Sequence, residues 1–306
     1  MSKTHKAVNT VKARQPLALH DVPTPEPTGD EILVHVKWTA STPLDLHQAD
    51  GGLLVNHPQI LGDSSAGTVA AVGSEVTSFA VGDQVFGFAW RSAQEKAHQE
   101  YLLAPEYLFG RVPEGFKMEE AVTLPSPFVT AFQSSINDLG LELPWPKPEG
   151  WTPKNAAEPI LVWGGSSSVG YFEIQILRYY GYKNIIATGS KRHHELLKSL
   201  GATNVVDYRD ADAADQIKSA AGGNVKYAMD CIASLQGSMK PVSGVVGPGS
   251  VVAIMLPVVV KDASETEEPI YEMDVTKDTT WPEGVVAKGV RTHFYLQVRH
   301  ISCSMR

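Results

Sequence analysis

From residue 160 onward, short apolar runs alternate with amphipathic stretches, and this alternation constrains the fold more than any other feature of the chain. The runs ILVW (160–163), NIIAT (184–188), NVVDY (204–208), VKYAMDC (225–231) and SVVAIM (250–255) have the length and β-branched content of buried strands. RTHFYL at 291–296 is expected to add a sixth. Helical spacing lies between the strands, for example over 194–202 and 212–222. Such β–α alternation packs as a doubly wound parallel sheet with helices on both faces. The first part of the chain has another texture. EILVHVKW (31–38) alternates as a half-buried strand does, and 67–88 reads as strands separated by Gly, Asp and Ser turns. That texture predicts a compact antiparallel β domain. Helical spacing runs through VTAFQSSINDL (129–139), and then five prolines within 141–159 forbid a long regular element and predict a loop. We therefore expect an α/β chain of two domains, 1–127 and 128–306. The acidic stretch KDASETEEPIYEMD (261–274) reads as a solvated loop.

Composition narrows the function. A chain of 306 residues with a formal net charge of −8 lacks the basic surface that general nucleic-acid binding draws on. Two cysteines, Cys231 and Cys303, make no disulfide framework, and no CxxC pair offers a zinc site. The first residues, MSKTHKAVNTV, lack the apolar core of a secretory signal, and the longest apolar run, 251–260, is broken by Pro257. The expectation is a cytosolic protein that binds neither membrane nor nucleic acid; a small-molecule ligand, even an anionic one, stays open because a local basic cluster can act against the overall sign.

The segment LVWGGSSSVGYFEIQILRYYGY (161–182) passes from buried strand through glycines and serines into an amphipathic helix. The fingerprint G-x-G-x-x-G falls on Gly165, Ser167 and Gly170. Its first glycine serves the tight turn, its second the close approach of a pyrophosphate, its third the packing of helix on strand. Ser167 in the middle crowds the phosphate position but brings a hydroxyl that can donate to it. The helix N-terminus adds N–H groups and a favourable dipole. An ordinary small-residue turn is the plain alternative; the strand before it and the helix after it favour a dinucleotide.

One strand later, a site selective for NAD would place an acidic residue on the ribose. Here NIIAT runs into Gly189-Ser190-Lys191-Arg192-His193-His194, with no carboxylate before Glu195. Serine and two cations suit a 2′-phosphate. Cations at a helix start oppose its dipole, so a bound anion accounts for them better than a bare solvated turn does. The expected cofactor is NADPH.

With these segments the chain resembles the medium-chain dehydrogenase/reductase superfamily, and within it the zinc-independent quinone oxidoreductases and trans-acting enoyl reductases, including fungal ToxD-like proteins. The match runs through 20–51, LGDSSAGTVAAVGSEVTSFAVGDQVFGF (61–88), AVTLPSPFVTAF (121–132), WGGSSSVG (163–170), 187–208 and DCI (230–232). The resemblance implies a GroES-like β domain followed by a Rossmann domain, with the cofactor in the cleft between them. By it Thr42, Pro43 and Asp45 lie beside the nicotinamide, and Thr130 near the cofactor amide or phosphates. Ser166, Ser167 and Val169 face the pyrophosphate, with Gly165 and Gly170 shaping the turn. Ser190, Lys191 and Arg192 meet the 2′-phosphate, and Tyr208 the adenosine ribose. In the metal-dependent branch a cysteine stands in place of Thr42 and a histidine in place of Asp63; a catalytic zinc needs about three such ligands, so no metal is expected.

The implied chemistry is hydride transfer to a quinone or an activated alkene, followed by protonation from a side chain or water. Some related enoyl reductases use a tyrosine just after the matching N-terminal motif, and none stands there in this chain. His47 is the titratable alternative, and Asp45 is carried with it as a catalytic candidate. Phe86, Phe88, Trp90 and Phe128 could line an apolar pocket, although aromatics at such positions are more often core. A non-catalytic NADPH-binding sensor or interaction protein of the same fold is the alternative function. Family members continue past RTHFYLQ, whereas this chain closes on VRHISCSMR, so we expect a missing C-terminal return segment. A homodimer through the cofactor domain is an assembly the resemblance allows.

Overall fold

The structure, a computed structural model, describes residues 3–295. The described chain divides into two units. The first comprises the residues up to Ser126 together with Ala263–Pro269, and the second comprises Pro127–Asp262 together with the residues from Ile270 on.

In the first unit, β1 (Thr4–Thr10) pairs antiparallel with β2 (Ala18–Pro23) and β4 (Gln59–Ile60). A five-stranded antiparallel sheet is built from β3 (Glu31–Ala40), β5 (Ser64–Val72), β6 (Gln84–Phe88), β7 (Tyr101–Pro105) and β8 (Phe109–Arg111), in the order β7-β3-β5-β6-β8. The register of β3 on β5 shifts at Leu33/Val34 and again at Val36/Trp38. Gly67 sits where β3 comes closest, since a Cβ there would stand 2.2 Å from the His35 carbonyl oxygen; no other residue fits without moving backbone. Helix α1 (Pro43–Gly51) joins β3 to β4, and α2 (Met118–Ala121) follows β8. The tip of the acidic stretch is not simply solvated. Residues 262–268 are exposed, but Arg14 donates through Nη1 to the Glu267 carbonyl (2.6 Å) and through Nη2 to that of Ser264 (2.5 Å).

In the second unit, α3 (Pro125–Asn137) leads into the proline-rich segment, which forms no helix or strand up to β9 (Pro159–Trp163). Leu139, Leu141 and Leu143 of that segment are buried in the core, and the Tyr180 hydroxyl donates to the Pro144 carbonyl (3.0 Å). The sheet continues with α4 (Ser168–Tyr180), β10 (Asn184–Thr188), α5 (His194–Leu200), β11 (Asn204–Val206), α6 (Ala213–Ala221), β12 (Val225–Asp230), α7 (Lys240–Ser243) and β13 (Val246–Met255). A hairpin of β14 (Val258–Lys261) and β15 (Ile270–Glu272) intervenes before β16 (Val286–Val290). All six strands of the sheet run parallel in the order β11-β10-β9-β12-β13-β16.

Side chains alternate across this sheet, and both faces are buried. Ile160 and Val162 of β9 pack with Ile174 and Leu177 of α4 on one face. Leu161 and Trp163 pack with Ile217 of α6 and Val242 of α7 on the other. Burial on two sides explains why β9 reads as a continuous apolar run. It also places the end of β9 where the strand order reverses, between β10 and β12, the position at which open α/β sheets bind ligands.

The sixth strand lies elsewhere than expected. Val286–Val290 supplies it, and Thr292–Phe294 form a 3₁₀ turn instead. VAKGV pairs in parallel with β13 from Val286 to Val290 and buries Val290, although its sequence signal is weak. Leu296 and the tail VRHISCSMR, with Cys303, lie outside the described residues.

Candidate functional site

The turn after β9 is built from backbone requirements. Gly164 has a left-handed φ of +80°, and its carbonyl accepts from Ser167 N (2.9 Å), closing the turn. The tight-turn residue is therefore Gly164, one position ahead of Gly165, to which the spacing had assigned it. Gly165 instead allows the turn to lie against β10: its N–H bonds to the Thr188 carbonyl (2.8 Å), and a Cβ would meet that of Ala187 at 3.0 Å. At Gly170 a Cβ would stand 2.5 Å from the Gly164 oxygen and 2.8 Å from the Gly165 Cα, so only glycine lets α4 approach the strand.

Ser167 is the N-cap of α4, its Oγ accepting from Gly170 N at 3.1 Å. One lone pair of the hydroxyl is thus engaged. Behind the turn, burial, followed by the charges of Glu173 and Asp230, pushes the Cys231 thiol well up, with a hydrogen bond from Ser167 partly offsetting them. That environment makes the thiol unreactive.

The loops after β10 and β11 form one polar assembly. Ser190 precedes a 3₁₀ turn over Lys191–His193, so the two cations stand ahead of α5, not inside it. Lys191 is exposed and its Nζ lies 3.3 Å from Asp210 Oδ1; Arg192 Nε donates to His193 Nε2 (3.0 Å). No carboxylate ends β10, but Asp207, buried at the end of β11, reaches the same loop and accepts from Lys191 N (3.1 Å). Hydrogen bonds from Arg209, foremost among several, hold the Asp207 carboxyl well below the usual carboxylate range. Tyr208 is half-exposed, with the Arg209 guanidinium 5.6 Å from its ring centroid. Asp207 and Arg209 escaped the sequence reading; the signal was their position at the carboxyl end of β11, the strand beside β10. Thr130 is buried on α3. Ser166 and Val169 are half-buried beside the turn.

In the first unit, the stretch TPLD opens α1. Asp45 does not stand as a free acid there. Its Oδ2 accepts from Thr42 N (2.8 Å) and Thr42 Oγ1 (3.3 Å) in a capping box, and its Oδ1 accepts from Gly62 N (2.9 Å). These bonds give Asp45 a structural role: its lone pairs satisfy backbone that would otherwise be orphaned. Pro43 occupies the first helical position, where its missing N–H is harmless. His47 is half-buried in the middle of α1. Asp63 is buried and accepts from Ser64 Oγ (3.1 Å). Burial lowers both the Lys96 ammonium and the His98 imidazole, against the opposing pull of Asp45 and Asp63. Among the described residues, no group of three His, Cys, Asp or Glu side chains is arranged to hold a metal ion. No helix among them is long and apolar enough to cross a membrane.

Comparison with known proteins agrees with this fold. Residues 28–133 match the alcohol dehydrogenase GroES-like domain, and 168–255 match the zinc-binding dehydrogenase domain. The trans-enoyl reductase tazE of Aspergillus terreus is 33% identical over 251 residues, covering 79% of this chain and 80% of the relative. The chain belongs to the medium-chain dehydrogenase/reductase superfamily. A second relative, the lovastatin nonaketide synthase enoyl reductase component lovC of Aspergillus terreus, is 34% identical over 70% of this chain. The chain spans 59% of that relative's length. A quinone oxidoreductase from Coxiella burnetii superposes with a TM-score of 0.71 over 99% of this chain and 87% of its own, at 23% identity. That superposition bears on the superfamily fold: a GroES-like β unit and a Rossmann-type parallel sheet.

Proposed function

We propose that the chain is an NADPH-dependent reductase that delivers a hydride to a quinone or to an α,β-unsaturated carbonyl or enoyl substrate, free or carrier-bound, without zinc. The observation that carries the cofactor reading is the loop after β10. It offers Ser190, Lys191 and Arg192 where a carboxylate would select NADH, and the nearest buried acid, Asp207, is already held by Arg209. The glycine turn fits a pyrophosphate as well. Gly165 and Gly170 leave space that a Cβ would fill, and the first turn of α4 presents N–H groups without intrahelical partners. The relatives named as trans-enoyl reductases support an enoyl acceptor, and the quinone oxidoreductase of the same fold keeps a quinone in view.

When bound, NADPH supplies the hydride; the rest falls to the chain. In this reading Gly164, Gly165 and Ser167 shape the pyrophosphate seat. Thr42 and Pro43 border the nicotinamide, Thr130 its amide or phosphates, and Tyr208 the adenosine ribose. His47 delivers the proton that completes the reduction, directly or through water. Thr42 and Asp63 are poor zinc ligands compared with cysteine and histidine, so carbonyl polarisation by a metal has no place in the scheme.

The test is a fluorescence titration of the purified chain with NADPH and NADH side by side, followed by turnover with quinones and enoyl thioesters. We expect NADPH to bind more tightly by roughly tenfold or more, the scale of one charge-assisted phosphate contact. Saturation with NADPH but no turnover with any acceptor would overturn the enzyme in favour of a cofactor-binding protein. Binding of neither nucleotide would overturn both.

A further inference from the structure

The polar assembly at the ends of β10 and β11 contains a charge pair with more structure than a nucleotide seat of Ser190, Lys191 and Arg192 needs. Asp207 is only 1% exposed, yet four donors meet its carboxylate. Oδ1 accepts from Arg209 N (3.0 Å) and Arg209 Nε (2.9 Å), and Oδ2 accepts from Arg209 Nη2 (2.7 Å) and Lys191 N (3.1 Å). One oxygen atom therefore holds both the backbone of the Ser190–Lys191 turn and the tip of the Arg209 guanidinium. The guanidinium is fixed beside that turn and is further braced over the Tyr208 ring. Its side chain remains 59% exposed. Asp207 uses the Nε hydrogen and one hydrogen of Nη2, which leaves the Nη1 hydrogens and the second Nη2 hydrogen for another acceptor.

We propose that Arg209, aimed by Asp207, is a specificity-determining ligand for the 2′-phosphate of the cofactor, and that Asp207 is its positioning residue. The assignment rests on the NADPH reading above and deepens it. The charges explain why aim matters here. Lys191 faces Asp210 and Arg209 faces Asp207, so each cation is largely neutralised at long range. What Arg209 contributes is directional donors at hydrogen-bond distance, a contact available to a phosphate and absent with a 2′-hydroxyl. The competing account is that Arg209 merely shields a buried carboxylate. It predicts that removing the pair lowers the affinity for NADPH and NADH together.

The experiment measures dissociation constants for NADPH and NADH by fluorescence, with thermal unfolding of each variant as a folding control. Arg209→Met removes the donors but leaves Asp207 unpaired, which can unfold the chain. The decisive variant is therefore the double substitution Asp207→Asn with Arg209→Met, in which no charge is stranded. We expect its NADPH affinity to fall by roughly tenfold or more while its NADH affinity stays within about twofold of wild type. Asp207→Asn alone, which frees the aim of Arg209 but keeps its donors, should show a smaller fall in the same ratio. A double variant with the wild-type ratio, whether both affinities fall in parallel or neither moves, would overturn the assignment and leave the NADPH reading standing. A wild-type chain with no preference for NADPH would remove that reading, and this assignment with it.

Discussion

Glu173 offers the sharpest test of the energetics. It lies on α4, fully buried, facing Ser135 of α3, whose hydroxyl stands 2.8 Å from each carboxylate oxygen. One hydroxyl cannot replace the solvation of an ionised carboxylate, and burial pushes the group up to about 8, with the Ser135 bond acting the other way. The sign of the linkage follows. Below the unfolded value of about 4.3 the side chain is neutral in both states and costs nothing. As pH rises from there toward 8 the folded chain keeps a proton that the unfolded chain has given up, so stability falls by about 1.4 kcal/mol per pH unit. By pH 7 the loss is about 3 to 4 kcal/mol, and it levels off above pH 8 near about 5 kcal/mol. Glu173→Gln keeps the shape, remains neutral, and can both donate to and accept from Ser135. Thermal unfolding of the two proteins should nearly coincide at about pH 4, and the variant should gain steadily up to about pH 8 and level off beyond it. With about 2 to 4 °C per kcal/mol for a unit of this size, the gap at pH 8 is on the order of 10 °C. Parallel curves for the two proteins across that range would refute the argument. So would a variant destabilised equally at both ends, because Glu173 would then be ionised and compensated in the fold.

Three further outcomes follow from the same geometry. Gly170→Ala places a Cβ against the Gly164 oxygen and should cost about 1 to 3 kcal/mol in urea unfolding and weaken NADPH binding; unchanged stability would mean that α4 can slide off the strand freely. Ser167→Ala removes the N-cap of α4 and should lower stability by about 1 kcal/mol, read as a drop of a few degrees in Tm. Asp45→Ala leaves the Thr42 and Gly62 N–H groups without their acceptor and should destabilise by about 2 to 3 kcal/mol, with Asp45→Asn milder. Loss of turnover at unchanged stability would instead return Asp45 to a catalytic role.

The features legible in the sequence are those that one physical cause dictates alone. Burial on both faces made β9 and β10 nearly continuous apolar runs, and the proline-rich stretch 141–158 could build neither helix nor strand. Features decided by competition between neighbours were not legible. Two adjacent glycines follow Trp163, and spacing alone cannot say which takes the left-handed turn; the hydrogen bond from Ser167 N to the Gly164 carbonyl decides it. The stretch TPLD already carries the T-x-x-D pattern of a capping box, so the role of Asp45 was within reach, but its position beside the expected nicotinamide drew the catalytic reading. At 286–290 a lysine and a glycine hide an edge strand that exists because β13 would otherwise leave its edge unpaired. The basic loop shows the limit most clearly. In sequence, Lys191, Arg192 and Arg209 are equal positive charges and Asp207 and Asp210 equal negative ones. In the fold, Asp210 holds the Lys191 ammonium while Asp207 holds Arg209 and the backbone of Lys191. Which donors remain for a ligand is then set by pairing across two loops 16 residues apart, and no count of charges along the chain contains that information.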